Sequence, residues 1–526
     1  MTTDQPPSLH DSYVSPLAGR YASKHMQQIW SARHKYQLWR KIWLAVAEAQ
    51  HEVGLPVSKE QVDELRANLD VTDADIARAS QLEKELRHDV MSHVHAWGER
   101  CPNARGIIHL GMTSQDVNDN CELTQIQQAI DQIVKQCRGL MSAFHRPISE
   151  SISTPTTGYT HYQPAQPTTV GRRLVQMAYE VDFAWTDLQS AHSRLVLRGL
   201  RGATGTQASF LKLCSGDEAL VDEIEARFVW KFLREVGQGR MSGIDNDQHF
   251  EDAISPKPGF PQVHSRQYMI RSFVRWETRP LTGQTYSRLH DAQVLANLAV
   301  VATSLHKLAT DIRLLCNLGE LSEPFETKQI GSSAMPYKRN PMRCERVCGL
   351  TRFVWNLVPN AYDTAATQWL ERTLDDSSNR RLVLPEAFLA LDAALNIMHN
   401  VISGLVVHDK VIARNLEREL PFLATEALMM AAVKLGRDRQ DVHEAIRQHA
   451  MAAKHRMVEG DGENDLVDRL RDEPLLEGVD IDAELKPERH IGLAVEQTER
   501  FLKEVIDPLK ERFAEDDDNT AEELRV

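Results

Sequence analysis

The segment 331–341, which reads Gly-Ser-Ser-Ala-Met-Pro-Tyr-Lys-Arg-Asn-Pro, combines groups that could perform acid–base chemistry on an anion. Two hydroxyls, those of Ser332 and Ser333, follow a glycine, and Lys338 comes within six residues of the first. A serine oxygen is a poor base at its ordinary pKa, but cationic neighbours and backbone N–H groups can stabilise its alkoxide. The segment therefore predicts a flexible cationic loop that presents a nucleophile or a base to an anionic substrate.

A second candidate for chemistry is His161, which lies in a polar stretch with Thr160 before it and Gln163 after it. Histidine titrates near neutral pH and can serve as a general acid or base. Pro164 and Pro167 indicate a loop or the start of a helix rather than a buried face. Taken alone, the stretch favours a histidine that is hydrogen-bonded in a turn.

Several other segments combine cationic and hydrogen-bonding side chains, and only a fold could bring them together. The planar fork of arginine matches the geometry of carboxylates and phosphates, so these segments are candidates for anion binding. Trp369 and Leu374 interleave with the last of them, which favours a folded binding turn over a solvated charged face. The candidates are Arg20 and Tyr21, Arg87, His88 and Asp89, Thr113 and Ser114, Gln284, Asn340 and Arg346, and Arg372, Ser377 and Arg381.

The sequence predicts no metal site. His88, His93 and His95 match no known ligand spacing, so anion binding is the better interpretation of His88. Cys344 and Cys348 lie four residues apart, but no second pair or nearby histidine completes a zinc site.

Composition sets limits on the partners of this 526-residue chain. Its formal net charge of −14 excludes general attraction to nucleic acid or to an anionic membrane surface. We expect no apolar run long enough to span a bilayer, and residues 1–7 lack the pattern of a signal peptide. Seven cysteines without framework spacing predict reduced thiols and a cytoplasmic location.

Long helices are the elements that must position the candidate residues. Apolar residues recur at alternating steps of three and four in four stretches, which cover 123–140, 170–188, 294–315 and 384–405. This alternation is typical of long helices packed side by side, and no comparable period of two indicates strands. The predicted fold class is all-α, with a long central helical bundle. Helices with more than one apolar face also favour homo-oligomerisation.

Breaks in the helical pattern divide the chain into three predicted domains. The predicted limits give an N-terminal helical domain at 1–112, a central long-helix bundle domain at 113–407 and a C-terminal helical domain at 408–526. Glycine and proline residues predict an irregular insertion near 230–280, and the acidic tail is predicted to be disordered. The loop 202–207 lacks the ending of a phosphate-binding P-loop, which favours a close backbone approach between helices there.

Together these segments resemble the adenylosuccinate lyase family of the fumarase/aspartase superfamily, over about residues 15–509. The stretch 331–341 resembles the signature loop of the superfamily, and we use that name for it below. Stretches that resemble this family in particular are 15–21, 87–91, 204–209 and 372–381. Another fumarate-releasing lyase, such as argininosuccinate lyase, is the alternative. A non-enzymatic protein that keeps the fold is a second alternative, against which the retained candidate site argues.

The resemblance implies β-elimination of fumarate from adenylosuccinate, giving AMP, and from a succinylated imidazole ribotide (SAICAR), giving AICAR. It implies that Ser332 is the general base and His161 the general acid, with Lys338 and His88 in the catalytic set. It also implies a cofactor-free and metal-free homotetramer whose active sites are shared between subunits. The small-molecule substrate would be held by Arg20, Tyr21, Arg87, His88, Asp89, Thr113, Ser114, Gln284, Lys338, Asn340, Arg346, Arg372, Ser377 and Arg381. The stretch 229–282 is longer than this family leads us to expect.

Overall fold

Five helices precede the bundle in the computed structural model, which describes residues 12–237, 246–255, 266–460 and 462–515. Four of the five begin where a Ser or Thr side chain accepts the backbone N–H three residues later, which satisfies a donor that the first turn leaves free. A short π-helical turn at Leu17–Tyr21 comes first. The helices are α1 (Lys24–Ile29), α2 (Ala32–Glu52), α3 (Lys59–Ala67), α4 (Asp73–Leu86) and α5 (Asp89–Arg100).

Five long helices form the bundle, and they confirm all four predicted helical stretches. The apolar positions that carried the prediction, such as Leu298, Leu305 and Ile312, are fully buried. Helix α13 lies antiparallel to α14, since Thr310 contacts Cys348 while the earlier His306 packs on the later Trp355. The bundle helices are α6 (Ser114–Ala143), α8 (Val170–His192), α13 (Leu289–Asn317), α14 (Met342–Ala366) and α15 (Asp375–Ser403).

Helix α15 is long and apolar enough to cross a membrane by length and composition, which the sequence analysis did not anticipate. However, 72% of its most apolar window is buried inside the molecule. Its apolar character therefore fits a core helix of the bundle, where α15 packs against α14 and α6.

The segment 230–280 is not simply irregular, as the sequence predicted, because it contains helices that bury aromatic side chains. The Phe250 ring stacks on Trp230 at 5.5 Å between centroids and meets Phe273 at 5.4 Å. Most of the glycines and prolines behind the prediction lie at 238–245 and 256–265, outside the described residues. Helices between the first bundle helices and α13 are α7 (His145–Glu150), α9 (Ala208–Leu213), α10 (Glu218–Val236), α11 (Asp247–Ile254) and α12 (Arg266–Glu277).

Two large apolar cores run through the molecule. One unites the bundle helices, and the other joins residues of 38–121 with residues of 197–273, so α10–α12 share a core with the N-terminal helices. Helix α6 begins at Ser114 and α15 ends at Ser403, close to the predicted domain limits. The division of the chain at 112 and 407 stays a prediction.

The C-terminal helices form a small core of their own and then return to the bundle. Helices α17 to α20 surround that third core, while α21 packs on α8 and α22 on α6. The acidic tail that was predicted to be disordered lies at 516–526, outside the described residues. The helices are α16 (Asp409–Leu423), α17 (Thr425–Lys434), α18 (Arg439–Glu459), α19 (Leu466–Arg471), α20 (Ile481–Glu484), α21 (Ala494–Phe501) and α22 (Asp507–Glu515).

Within the described ranges, two small antiparallel sheets interrupt the helical fold, and the sequence did not predict them. Strands β1 (Pro155–Thr160) and β2 (Gln163–Thr169) form a hairpin, and β3 (Leu321–Ser322) pairs with β4 (Val406–Val407). In the hairpin Thr160 pairs with Gln163, so the turn consists of His161 and Tyr162. Pro164 and Pro167 lie inside β2, and proline in a segment normally argues against a strand because it has no N–H to donate to a ladder. For that reason the sequence did not indicate a strand here.

Candidate active site

His88 and Ser114 meet at one end of the bundle. His88 is the N-cap of α5, and its Nδ1 accepts the Met91 backbone N–H at 3.3 Å. That bond places the proton of the neutral imidazole on Nε2, which lies 3.5 Å from the Ser114 hydroxyl at the start of α6. His88 therefore has a fixed ring orientation and a second nitrogen that faces a hydroxyl.

Helix α15 brings a cationic side chain to the same place. The Arg381 guanidinium donates to the Asp89 carboxylate at 2.9 Å, and more than half of the Arg381 side chain is exposed. Arg87 ends α4 with a left-handed backbone (φ 53°), a conformation that non-glycine residues seldom adopt. The chain therefore turns sharply at Arg87 and presents 87–89 as a group.

Gln284 and Arg372 contact each other where three backbone segments, at 203–205, 282–283 and 371, pack closely together. Arg372 donates to the Gln284 side-chain oxygen at 3.1 Å, and Gln284 in turn donates to the Ala203 carbonyl at 3.1 Å. A Cβ at Gly205 would overlap the Thr282 carbonyl, and one at Gly283 would lie 2.7 Å from the Glu371 carbonyl. The expected close backbone approach near 202–207 is thus present, between loops rather than between helices.

A buried network of acids and arginines supports this end of the bundle, and the sequence analysis missed it. Asp116 accepts hydrogen bonds from the backbone N–H of Thr113 at 2.8 Å and of Arg201 at 2.8 Å, and it pairs with Arg198. The mainly polar run 115–120, near the start of a long bundle helix, was the sequence signal of this network. Polar side chains that are buried in a bundle need hydrogen-bonding or ionic partners.

The same network fixes α15 against α13. Arg288, the residue before α13, donates to the buried Asp376 at 2.8 Å, and Arg380 donates to Asp291 at 2.6 Å. Burial disfavours the charged form of Glu122, but Arg380 and its other cationic neighbours outweigh burial and lower the pKa of that carboxyl to about 2. Glu122 is therefore ionised near neutral pH.

The signature loop is folded back on itself. The Asn340 side chain donates to the Gly331 carbonyl at 2.9 Å, and a Cβ at Gly331 would overlap the Lys338 carbonyl. The Ser332 hydroxyl oxygen accepts the Met335 backbone N–H at 3.1 Å, whereas Ser333 is exposed. A backbone N–H that points at Oγ favours negative charge on that oxygen, which is a property required of a serine base.

Glu323 and Arg343, neither of which was a predicted site residue, hold the base of this loop. The Glu323 carboxylate accepts the backbone N–H of Arg343 at 3.1 Å and of Cys344 at 2.7 Å, in the first turn of α14. The buried Arg343 side chain donates to the Pro324 carbonyl at 2.5 Å. Lys338 on the loop is exposed, and Arg346 is half-buried on α14.

His161 lies at the tip of the β1–β2 hairpin rather than in the loop or helix start that the prolines suggested. Both turn residues, His161 (φ 53°) and Tyr162 (φ 60°), have left-handed backbones, as a two-residue hairpin turn requires. Asparagine and glycine are the usual residues there, and strained backbone of this kind clusters at functional sites. The His161 side chain is exposed at the tip of the hairpin.

The structure brings the predicted residues together in two groups that are far apart. Gln284 and Arg372 lie near the start of α13, while the signature loop follows its end. At 1.5 Å per residue the 29 residues of α13 separate the groups by about 40 Å. His161 is only five residues from Thr156, which contacts Glu320 after α13, so strand geometry keeps it within about 17 Å of that end.

Arg20 and Tyr21 join neither group in the described part of the chain. Their π-helical turn packs on α15, and the neighbouring Ser23 backbone N–H donates to Asp392 at 2.6 Å. Asp392 lies eleven residues beyond Arg381, which corresponds to about 16 Å along the helix. Ser377 is half-buried in the first turn of α15.

No group of three or more His, Cys, Asp or Glu side chains in the described ranges is placed to hold a metal ion. His93 stacks on Tyr36 at 3.8 Å between ring centroids and meets Trp39 edge-on. Burial lowers the pKa of His93 to about 4, so its imidazole is neutral and packed among aromatic rings.

Two family models match the chain. The model described as "Lyase" matches residues 15–228 and 253–355, and the one described as "Adenylosuccinate lyase C-terminus" matches residues 421–501. The adenylosuccinate lyase of Saccharomyces cerevisiae is 42% identical over 507 residues, which cover 96% of this chain and 97% of that protein. The adenylosuccinate lyase of Pyrococcus abyssi is 33% identical over 499 residues, covering 94% of this chain and 98% of that protein.

Solved structures of similar shape support the fold. A fumarate lyase from Mesorhizobium sp. BNC1 superposes with a TM-score of 0.73 at 21% identity, over 92% of this chain and 99% of that one. The 3-carboxy-cis,cis-muconate lactonizing enzyme of Pseudomonas putida gives a TM-score of 0.72 at 22% identity, over 95% and 99% of the two chains. The predominantly helical, long-bundle architecture is thus shared with these enzymes.

Proposed function

The chain belongs to the adenylosuccinate lyase family of the fumarase/aspartase superfamily, and from that membership we propose how its residues divide the reaction. The chain is a C–N lyase that eliminates fumarate from adenylosuccinate, leaving AMP, and from SAICAR, leaving AICAR. The observation that carries this conclusion is 42% identity to a curated adenylosuccinate lyase over nearly the full length of both chains. The alternative of an argininosuccinate lyase is not favoured, since the curated relatives reported above are adenylosuccinate lyases.

Ser332 is the proposed general base. It removes a proton from the carbon next to a succinyl carboxylate, and the electron pair left on that carbon forms the double bond of fumarate as the C–N bond breaks. The Met335 N–H at 3.1 Å from Oγ supports this role because it stabilises the alkoxide. Lys338, six residues along the same loop, is proposed to balance the negative charge of the carbanion-like intermediate.

His161 is the proposed general acid. It delivers a proton to the nitrogen that leaves with the purine or imidazole ribotide, so the leaving group departs neutral. Support comes from its exposed position at a strained hairpin tip, where the imidazole has no described structural partner.

The remaining predicted residues are proposed to bind the two ends of the substrate. Arg20, Tyr21, Arg87, His88, Arg372, Ser377 and Arg381 would hold the nucleotide and its phosphate, with Asp89 orienting Arg381. Thr113, Ser114, Gln284, Asn340 and Arg346, together with Lys338, would hold the succinyl part. The contacts of His88 with Ser114 and of Arg372 with Gln284 support this assignment, because they bring residues proposed for both ends together.

A homotetramer with shared active sites is the proposed assembly. The separation of about 40 Å between the two groups of site residues supports it, since one chain cannot place both groups on one substrate. Exposed apolar side chains on the bundle helices give further support, because larger apolar surfaces of this kind are typical of interfaces. They are Tyr179, Phe183, Leu289, Val300, Leu314, Phe353, Tyr362 and Leu382.

Fumarate release from adenylosuccinate and from SAICAR by the purified chain tests the activity. We expect turnover of both substrates, and no release from adenylosuccinate would contradict the assignment. Mixing subunits of two inactive variants, His88→Ala and His161→Ala, tests the shared site. If each site takes these residues from different subunits, random reassembly restores about a quarter of the sites. No recovery after verified subunit exchange would contradict sharing.

A cytoplasmic location is also proposed. The seven cysteines are all free thiols, and six of them are buried, which supports a reducing compartment. Cell fractionation tests the proposal, and recovery of the chain with sealed secretory vesicles would contradict it.

A further inference from the structure

An ion pair between the half-buried Arg173 and the buried Glu320 links the two segments that contain the proposed acid and base. Glu320 is 1% exposed and lies between the end of α13 and β3, on the way to the signature loop. Arg173 comes from the first turn of α8, and its guanidinium lies 3.5 Å from the Glu320 carboxylate. The His161 hairpin immediately precedes α8, so the pair stands between the hairpin and the loop.

On the hairpin side, Arg173 contacts β1 at three places. It donates to the Thr156 hydroxyl at 3.3 Å and to the Thr157 carbonyl at 2.5 Å, and its guanidinium lies 5.8 Å from the centre of the Tyr159 ring. The Tyr159 ring packs in turn against Tyr162 at 5.9 Å, and Tyr162 is the second residue of the His161 turn. Arg173 therefore fixes β1 from its base to the tip.

On the loop side, Glu320 is held by its own contacts. Its carboxylate accepts from the Asn415 side chain at 3.2 Å, and its carbonyl accepts the His408 N–H at 3.0 Å, both from the C-terminal part of the chain. Three residues further on, Glu323 caps the first turn of α14, where the signature loop ends. The anchor for Arg173 is thus continuous with the base of the loop that contains Ser332.

Burying two charges costs more than packing apolar groups of the same size, so stability alone gives little reason for this pair. An ion pair with several fixed donors and acceptors does, however, set orientation in a way that apolar packing does not. The exposed His161 turn takes its position from the two hairpin strands, which pack against α16 and which Arg173 fixes at β1. A proton donor that is misplaced by about 1 Å loses on the order of 100-fold in rate.

We propose that the Arg173–Glu320 pair is a positioning device for the proton transfer from His161, and that it holds the hairpin and the base of the signature loop in a fixed relation. The inference rests on the proposed role of His161. Because the side chains of Arg173 and Glu320 are only 16% and 1% exposed, we treat both as positioning residues whose effect passes through His161.

A double-mutant cycle on the full-length enzyme tests this. Lysine at 173 keeps the charge but cannot reach Glu320, the Thr157 carbonyl and the Tyr159 ring together. We expect Arg173→Lys to lower kcat by about 10- to 100-fold with KM changed less than about threefold. In a His161→Gln background, the same change should lower the residual kcat less than about threefold, because the group it positions is gone.

The chain offers a matched control one residue away. Arg172 lies on the same turn of α8 but donates to the Gln497 and Gln176 side chains instead. Arg172→Lys should keep kcat within about twofold, since it leaves β1 untouched. If Arg173→Lys does not fold, Thr156→Val removes the buried hydroxyl between Arg173 and Glu320 with little change of volume. We expect a drop in kcat of protein that stays folded at the assay temperature, with the melting temperature lowered by a few degrees.

Three results would overturn the inference. Multiplicative losses in the double variant would show that Arg173 acts independently of His161, while leaving the acid role of His161 intact. Equal losses for Arg172→Lys and Arg173→Lys would show a general disturbance of α8. Near-normal turnover by His161→Gln would instead overturn the acid assignment itself, and the positioning role with it.

Discussion

The most direct test of the signature-loop geometry is the substitution Gly331→Ala. The backbone of Gly331 lies so close to the Lys338 carbonyl oxygen that an added Cβ would overlap it, well inside the 3.0 Å that Cβ atoms keep from other heavy atoms. The Asn340 side chain closes the same contact by donating to the Gly331 carbonyl at 2.9 Å. The methyl group would therefore push the two ends of the loop apart.

The size of the expected effect follows from that overlap. Relief requires a shift of Ser332 or Lys338 by roughly 1 Å, and a displacement of that size costs on the order of 100-fold in rate for a positioned catalytic group. The loop is largely exposed, so the free energy of unfolding should change by less than about 1 kcal/mol. We expect kcat for fumarate release to fall about 100-fold while the melting temperature stays within a few degrees of the wild-type value.

Gly349→Ala is the matched control. Gly349 lies in α14, the helix that follows the loop, and an added Cβ there would meet no atom within 4 Å. Alanine in a helix is favoured over glycine by about 1 kcal/mol, so this variant should keep its activity. Turnover by Gly331→Ala within about threefold of wild type, with Gly349→Ala also active, would refute the close-packed loop as a catalytic requirement.

Three further predictions concern the base, the acid and a buried histidine. Ser332→Ala should lower kcat by about 10²- to 10⁴-fold yet still bind adenylosuccinate in calorimetry, because it removes the base and leaves the anion contacts; near-normal turnover would contradict this. His161→Ala should lose less turnover with an analogue whose leaving nitrogen is less basic, and an equal loss for both substrates would argue against the acid role. Burial lowers the pKa of His93 from 6.5 to about 4, so the unfolded state binds the extra proton and stability falls as the pH drops from 6.5 towards 4. Between pH 6.5 and 4.5 the free energy of unfolding should therefore fall by about 2 kcal/mol less for His93→Phe than for wild type. Melting curves at several pH values measure this difference, and a parallel pH dependence of the two proteins would contradict the lowered pKa.

The long helices could be predicted because their signal repeats many times. Each of α6, α8, α13 and α15 contains apolar residues at steps of three and four, and these positions are buried together in one core. The β1–β2 hairpin could not be predicted in the same way. Its strands are short, two prolines interrupt β2, and its turn is His-Tyr instead of the Asn-Gly that usually indicates a two-residue turn.

Motif residues on loops could be found in the sequence, whereas the residues that fix those loops could not. Ser332, Lys338 and His161 have side chains that can take part in acid–base chemistry, so their identities alone suggest a catalytic role. Arg173, Glu320 and Glu323 look like surface charges in the sequence, since charged residues are seldom buried. Only the fold shows that Glu320 is buried and that it pairs with the half-buried Arg173 across 147 positions of the chain, which no local pattern encodes.

The bundle also explains why the two groups of site residues cannot meet within one chain. Buried ion pairs such as Arg288 with Asp376 lock α13 to α15 at one end, and the Arg173–Glu320 pair fixes the hairpin at the other. Between them lie helices of about 40 Å whose interdigitated cores resist bending. A loop can close over a few ångströms, but no loop motion removes that distance. In the proposed homotetramer, a substrate that needs both groups binds between subunits, and each subunit contributes its two ends to different active sites.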